Sequence, residues 1–329
     1  MRRILIALIV SGLGVFGTEV SPIGLQYEFM IFSHDPAIAL LQSVKKIGLF
    51  DVVKSQIVWE TSVPRAWQTF GLPALSPDGN LLAVTCRSGD LLIWDVALRE
   101  LRASYKVPPF CMWLIWLDER HVLLSGRYLC DNTHIIDITN GKILKTFSEA
   151  SCPVAVSPNG ELLAAAVRFV EGQVRVWNIT TGEVAGSFDF PGEVADITFD
   201  RTGTLIAVGV KDGKIYVCDV PKRTVAKVLE QDSPVNTLRL NRDGRLLAAS
   251  SQDDRIVIWT FPEGEKLVEV DVREELRRLG LLPDLDTLLV FPDTLRVFIT
   301  SWSPDGKAIS FSCRVKIGFE AFILSLPAL

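Results

Sequence analysis

The residue types that most often do chemistry are sparse and scattered in this sequence. Its three histidines are His34, His121 and His134, and two of them share one short region, so no three-histidine metal site is expected. A Ser-His-Asp set is recognised by geometry, and no nucleophile-elbow pattern singles out a serine. The six cysteines, Cys86, Cys111, Cys130, Cys152, Cys218 and Cys313, contain no CxxC pair. Cys86, Cys218 and Cys313 lie inside apolar runs and read as small buried thiols. Cys111, Cys130 and Cys152 lie near the ends of such runs, where a disulfide among them would require an exported protein. Gly12, Gly14 and Gly17 spell GxGxxG after ILIALIV, the fingerprint of a dinucleotide-binding turn. That turn needs a helix to hold the pyrophosphate at its N-terminus, and Pro22 and Gly24 interrupt the segment that would form it. No cofactor, metal or catalytic set is therefore expected, and the chain reads as a binding protein instead of an enzyme.

Charge narrows the partner. The sequence has 34 Lys and Arg against 39 Asp and Glu, a net charge of -5, and no basic run. A surface that tracks nucleic-acid phosphates needs clustered positive charge, so no nucleic-acid partner is expected. Hydrophobic residues at 48% and charged residues at 22% suit a folded core and argue against disorder.

The opening MRRILIALIVSGLGVFG has a positive start, an apolar stretch from Ile4 to Phe16, and small residues at its end. This is the three-part pattern of a secretory signal over residues 1–17, so the chain is expected to be exported, periplasmic or extracellular. The stretch is short for a membrane span of about 20 residues. Membrane attachment is expected only if the segment stays uncleaved. The competing reading makes Ile4 to Val10 the first strand of the fold, in a cytoplasmic protein.

The elements that must carry any site come from a repeat. Ser76-Pro77-Asp78-Gly79, Ser157-Pro158-Asn159-Gly160 and Ser303-Pro304-Asp305-Gly306 each stand between apolar runs. Weaker copies are Asp200-Arg201-Thr202-Gly203 and Asn241-Arg242-Asp243-Gly244, and degenerate ones begin at Ser33 and Leu117. Successive starts differ by 43, 41, 40, 43, 41 and 62 residues. Pro presets φ at the second turn position, Asp or Asn bonds back to the backbone, and Gly takes the positive φ that closes a hairpin. A strand follows each turn, as at Leu81–Val84. A further strand ends in an aromatic and often an acid, as at Trp94-Asp95, Trp177-Asn178 and Trp259-Thr260. The Asp or Asn at that end reads as a turn former, which also accounts for the glycosylation-like Asn178-Ile179-Thr180. Continuous apolar runs mark sheets covered on both faces. Ala83, Ala165, Ala207, Ala248 and Ser310 suit close packing, while Phe50, Trp94, Trp177 and Trp259 would fill the gaps between sheets.

These turns and the single complete Trp94-Asp95 pair resemble the WD-repeat family, from about Leu25 to the C-terminus. The family's Gly-His dipeptide is missing, and the sequence looks more like the Ser-Pro-Asp-Gly-rich propellers common in bacteria. The resemblance implies an all-β fold: a single seven-bladed β-propeller of four-stranded antiparallel blades over residues 18–329. Blades are predicted near 25–63, 64–107, 108–149, 150–191, 192–232, 233–272 and 273–329. The last holds an extra segment, 273–294, opening with a short amphipathic helix and serving either as a docking element or as a plain loop. Its fourth strand would come from Thr18 to Gln26 after cleavage, or from Ile4 to Val10 without it.

The resemblance also implies docking on the rim formed by second-to-third strand turns and inter-blade connections. That rim would present Arg65, Trp67, Phe110, Arg127, Tyr128, Arg168, Phe169 and Phe190, with Asp212, Asp232, Gln252 and Asp253 opposite. Aromatic and Arg side chains are over-represented among binding hot spots, so blades two to four are the expected partner site. The function implied is a non-catalytic, monomeric scaffold for a protein or peptide. The alternative is a propeller binding a small ligand or sugar in its central channel, with or without hydrolysis. The apolar Met112-Trp113-Leu114 and Val154-Ala155-Val156 of the first strands favour the scaffold.

Overall fold

Each recurring tetrapeptide closes a hairpin, and the same hydrogen bonds close it in blade after blade. The Ser76 hydroxyl donates to Asp78 at 2.5 Å and accepts the Leu81 N–H at 2.9 Å. Ser157 does the same with Asn159 and Leu162, and Ser303 with Asp305 and Ala308. Where serine is replaced, Asp200 and Asn241 accept the equivalent N–H of Leu205 and Leu246 at 2.8 and 2.9 Å. The glycine that ends the turn lies at φ +74 at Gly79, and a Cβ added there would meet no atom within 4 Å, so conformation and not space selects it.

The computed structural model describes residues 5–8, 29–32, 38–43, 45–51, 54, 56–63, 71–126, 132–278, 297–303, 305–314 and 319–325. They form seven four-stranded antiparallel sheets, six of them with strands adjacent in chain order. Those six blades span 29–62, 74–106, 111–147, 150–189, 194–230 and 235–271, each inside its predicted boundaries. The seventh takes three strands, Phe298–Trp302, Ala308–Arg314 and Phe319–Ser325, and a fourth from Leu5–Leu8. Leu5 pairs with Ser325 and Leu8 with Phe322, so residues far apart in sequence complete one blade. Closing the ring this way removes sheet edges that would otherwise be exposed. The closing strand falls within Ile4 to Val10, whereas Thr18 to Gln26 lies outside the described residues.

First strands of successive blades pack on one another around the axis, and blade 1 meets blade 7. The small residues Ala83, Ala165, Ala207, Ala248 and Ser310 are fully buried, and Phe50, Trp94, Trp177 and Trp259 are buried beside them. With no Gly-His dipeptide available, neighbouring blades are tied by other polar side chains. The indole N–H of Trp116 donates to the Ala74 carbonyl at 3.0 Å, and Trp302 repeats this on Arg239 at 2.8 Å. Asp196, buried on the first strand of blade 5, accepts the Leu238 N–H at 2.9 Å and pairs with Arg239 at 2.6 Å in blade 6. Each tie satisfies a polar group that burial would otherwise leave unpaired.

The extra segment opens with helix α1, Val272–Arg278. Asp271 caps it by accepting the Glu274 N–H at 2.9 Å. Val272 and Leu276 are fully buried among Ile256, Ile258, Ile299 and Phe311, which makes the helix part of the blade 6–7 core. Residues 279–294 of the segment lie outside the described residues.

Candidate docking rim

Alternating strand directions place the first-to-second and third-to-fourth turns on one end of the disc, here the turn face. The second-to-third turns and the blade connections share the other end, the rim. On blade 4 the rim turn is Arg168-Phe169-Val170-Glu171-Gly172. Arg168 anchors it by donating its backbone N–H to the Glu149 carbonyl at 2.9 Å, across to the blade 3–4 connection. Phe169 then takes a left-handed φ of +61, a conformation bulky residues avoid, and its side chain is 88% exposed. The Arg168 guanidinium lies 4.2 Å from its ring centroid, a cation–π distance. Val170 beside it is also exposed.

A second Arg-aromatic pair occurs two blades earlier. Phe110, in the blade 2–3 connection, has φ +62, and the Arg87 guanidinium sits 5.6 Å from its ring. Arg87 was not among the predicted residues, although its place in the Cys86–Gly89 rim turn is readable from the repeat. Arg65, Trp67, Arg127 and Tyr128 lie outside the described residues. Of the predicted set, then, Phe110, Arg168 and Phe169 are placed on the rim.

Phe190 corrects the expectation. It is buried, and its ring centroid lies 4.9 Å from that of Tyr216 between blades 4 and 5. The Phe190 N–H donates to the Gly172 carbonyl at 2.8 Å, drawing the connection down onto blade 4 and turning the ring inward. A Cβ on Gly172 would lie 2.2 Å from the Phe190 carbonyl oxygen, so this close approach requires glycine. The acids opposite are engaged within their own turns. Asp212 accepts the Tyr216 hydroxyl at 2.7 Å, and Asp253 accepts the Ser251 hydroxyl at 2.5 Å. Burial, with Asp212 beside it, pushes the Tyr216 phenol up to about 12. Asp232 and Gln252 are exposed.

In blade 6 the rim turn is structural. The Asp254 carboxylate is buried, and Oδ2 receives Arg273 Nε at 3.0 Å and a second guanidinium nitrogen at 2.7 Å from helix α1. The adjacent backbone bond from Val272 N–H to the Asp254 carbonyl fixes the helix start.

Other titratable groups serve turns and core. Asp95, Asp137, Asn178 and Asp219, which end the third strands, accept the N–H groups of Leu98, Thr139, Thr181 and Lys222. Arg120 binds both oxygens of Asp137, at 3.1 and 2.8 Å, and holds its carboxyl well below the usual range. His121 bonds Asp118, and His134 is buried against Thr146, where burial lowers its pKa. Burial pushes the thiols of Cys86 and Cys218 up to about 12, far from a usable nucleophile at neutral pH. Cys313 is buried too, and Cys130 lies outside the described residues. Among the described residues no three His, Cys, Asp or Glu side chains cluster as metal ligands, and no helix is long and apolar enough to cross a membrane.

Seven four-stranded blades, closed by Ser-Pro-Asp-Gly-type turns, make this chain a seven-bladed β-propeller, and part of its sequence matches a WD40 family model. The matching family model is that of the anaphase-promoting complex subunit 4 WD40 domain, over residues 198–282, which covers most of blades 5 and 6 and reaches past α1. The chain is also 27% identical over 146 residues to Protein groucho of Drosophila melanogaster, in a match covering 42% of this chain and 19% of that protein. It therefore spans about a fifth of that relative's length.

Proposed function

We propose that this propeller is a non-catalytic, monomeric scaffold that holds a protein or peptide partner on the rim of blades 2 to 4. The observation that carries the reading is Phe169, a large aromatic in a left-handed turn, 88% exposed and stacked with Arg168. Holding an aromatic in that conformation costs free energy while the ring stays out of the core, which suits a preformed anchor for a partner pocket. Phe110 with Arg87 supplies a second anchor of the same chemistry. The matched family model describes a domain of a complex subunit, which supports assembly with other proteins.

The test immobilises the full chain, an Arg168→Ala/Phe169→Ala variant and an Asp232→Ala control in an extract of the source cells. A protein retained by parent and control, released by the double variant, supports the rim. Retention by all three places the contact elsewhere and overturns it.

Export remains part of the proposal and competes with Leu5–Leu8 for the same residues. The N-terminal peptide mass of the natural protein separates them: a start after Gly17 supports export, and retention of Leu5–Leu8 supports a strand that stays in the ring.

A further inference from the structure

The second position of the hairpin tetrapeptide is Pro77, Pro158 and Pro304 in blades 2, 4 and 7, but Arg201 and Arg242 in blades 5 and 6. Pro serves because the position needs a preset φ and no N–H donor. Among the backbone bonds of these two turns, neither Arg201 nor Arg242 donates its N–H, so arginine adds nothing the hairpin requires. What it adds is a guanidinium on the turn face in each of two adjacent blades.

The turns stand side by side. A Cβ on Gly244 would lie 3.2 Å from Arg201 Cβ, and one on Gly306 would lie 3.4 Å from Asn241 Nδ2. Between them is a cleft of about 320 Å³ lined by Arg201, Asn241, Arg242, Asp243, Asp305 and Gly306. Asp243 and Asp305 each give one carboxylate oxygen to their own hairpin. Asp243 takes the Arg245 N–H at 3.0 Å, and Asp305 takes the Ser303 hydroxyl and the Lys307 N–H. Asn241 Oδ1 takes the N–H groups of Arg245 and Leu246. By contrast Arg120, Arg175, Arg239, Arg255 and Arg273 are each ion-paired, while neither Arg201 nor Arg242 pairs with a carboxylate among the described residues. Arg201 and Arg242 thus bring to the cleft two guanidinium groups without an ion-pair partner, beside the hairpin-bound carboxylates of Asp243 and Asp305.

We propose that this cleft is a second docking site, on the face opposite the rim, which takes carboxylate side chains of an acidic peptide segment between Arg201 and Arg242. The guanidinium fork matches a carboxylate with two parallel hydrogen bonds. The volume suits one or two side chains. This site goes beyond the rim reading and does not depend on it.

The experiment is fluorescence anisotropy on the full chain at low salt, where such contacts are least screened. The probes are a fluorescein-labelled tetraglutamate peptide, its tetraglutamine counterpart and a tetraphosphoserine peptide. The variant is Arg201→Pro/Arg242→Pro, which restores the residue the other hairpins use and is expected to keep the parent's melting temperature. The glutamate peptide should bind about tenfold or more tighter than the glutamine one, and the double variant should lose that difference. Should the proline variant fail to fold, Arg201→Gln/Arg242→Gln replaces it with the same expectation. Arg168→Ala/Phe169→Ala should leave binding unchanged, whatever becomes of the rim. Equal binding of the glutamate and glutamine peptides overturns the site, as does full binding by a folded double variant. Preference for phosphoserine over glutamate overturns the carboxylate assignment.

Discussion

The two ends of this disc treat their residues differently. On the turn face the recurring polar residue that opens each hairpin is consumed by that hairpin, as Ser76, Ser157, Asp200, Asn241 and Ser303 are. On the rim, left-handed positions pass from Gly89 and Gly213, which the backbone favours, to Phe169, which it does not. The turn face departs from its own rule at Arg201 and Arg242, and again at Arg99 and Arg223, which hold left-handed positions that Gly141, Gly182 and Gly264 fill in other blades. In a repeat protein the regular positions record what folding requires, and a residue the local backbone would not select points to a demand from outside the fold.

That contrast predicts an order of stability losses. The largest belongs to the blade 6 rim turn, which is tied into the core: Arg273→Ala strands the buried Asp254 carboxylate and should cost about 2 kcal/mol in chemical denaturation. A cost near zero would mean that α1 is not docked. Next, Asp200→Ala removes the acceptor for the N–H groups of Leu205 and Thr202 on the turn face, a loss of about 1 to 2 kcal/mol by the same measurement. The third is acid sensitivity. Because Arg120, Thr139 and the Thr139 N–H depress the Asp137 pKa, its stabilisation is complete above the ordinary value of 3.8 and is lost as the pH falls below it. Melting curves from pH 7 to 2 should show a shallower acid limb in Asp137→Asn, and superimposable limbs would contradict the Arg120 pairing. The smallest effect is on the free rim. Phe169→Gly relieves a left-handed aromatic at the entropic cost of a glycine, so stability should move by no more than about 0.5 kcal/mol. A large loss there would make Phe169 a structural residue and erase the contrast.

The repeat made most of the fold legible, because turn chemistry is local: a serine, an acid and a glycine at fixed offsets name a hairpin without reference to anything distant. Six blade boundaries and the buried third-strand aromatics follow from it, and the helix at Val272–Arg278 from the amphipathic run in the segment that breaks the repeat. What did not follow depends on contacts between blades. Phe190 and Phe169 look alike in sequence, both aromatics beside rim turns. Their fates differ by neighbours distant in sequence: Phe190 packs on Tyr216 of the next blade, while Phe169 meets Arg168 beside it. Likewise nothing near Trp116 or Trp302 announces that their indoles reach carbonyls in the preceding blade. The cleft at Arg201 and Arg242 was visible as a weakened turn motif, and only the adjacency of two blades shows that the departures converge.

The stitching of blade 7 has a consequence for how the chain is made. Leu5–Leu8 leaves the ribosome early and its partner Phe319–Ser325 late, with six blades translated between them. Blades 1 to 6 can zip up one after another during synthesis, each finding its strands nearby. The ring itself must wait, and through that interval an apolar tetrapeptide remains without its mate, open to any chaperone or targeting factor that captures nascent hydrophobic segments.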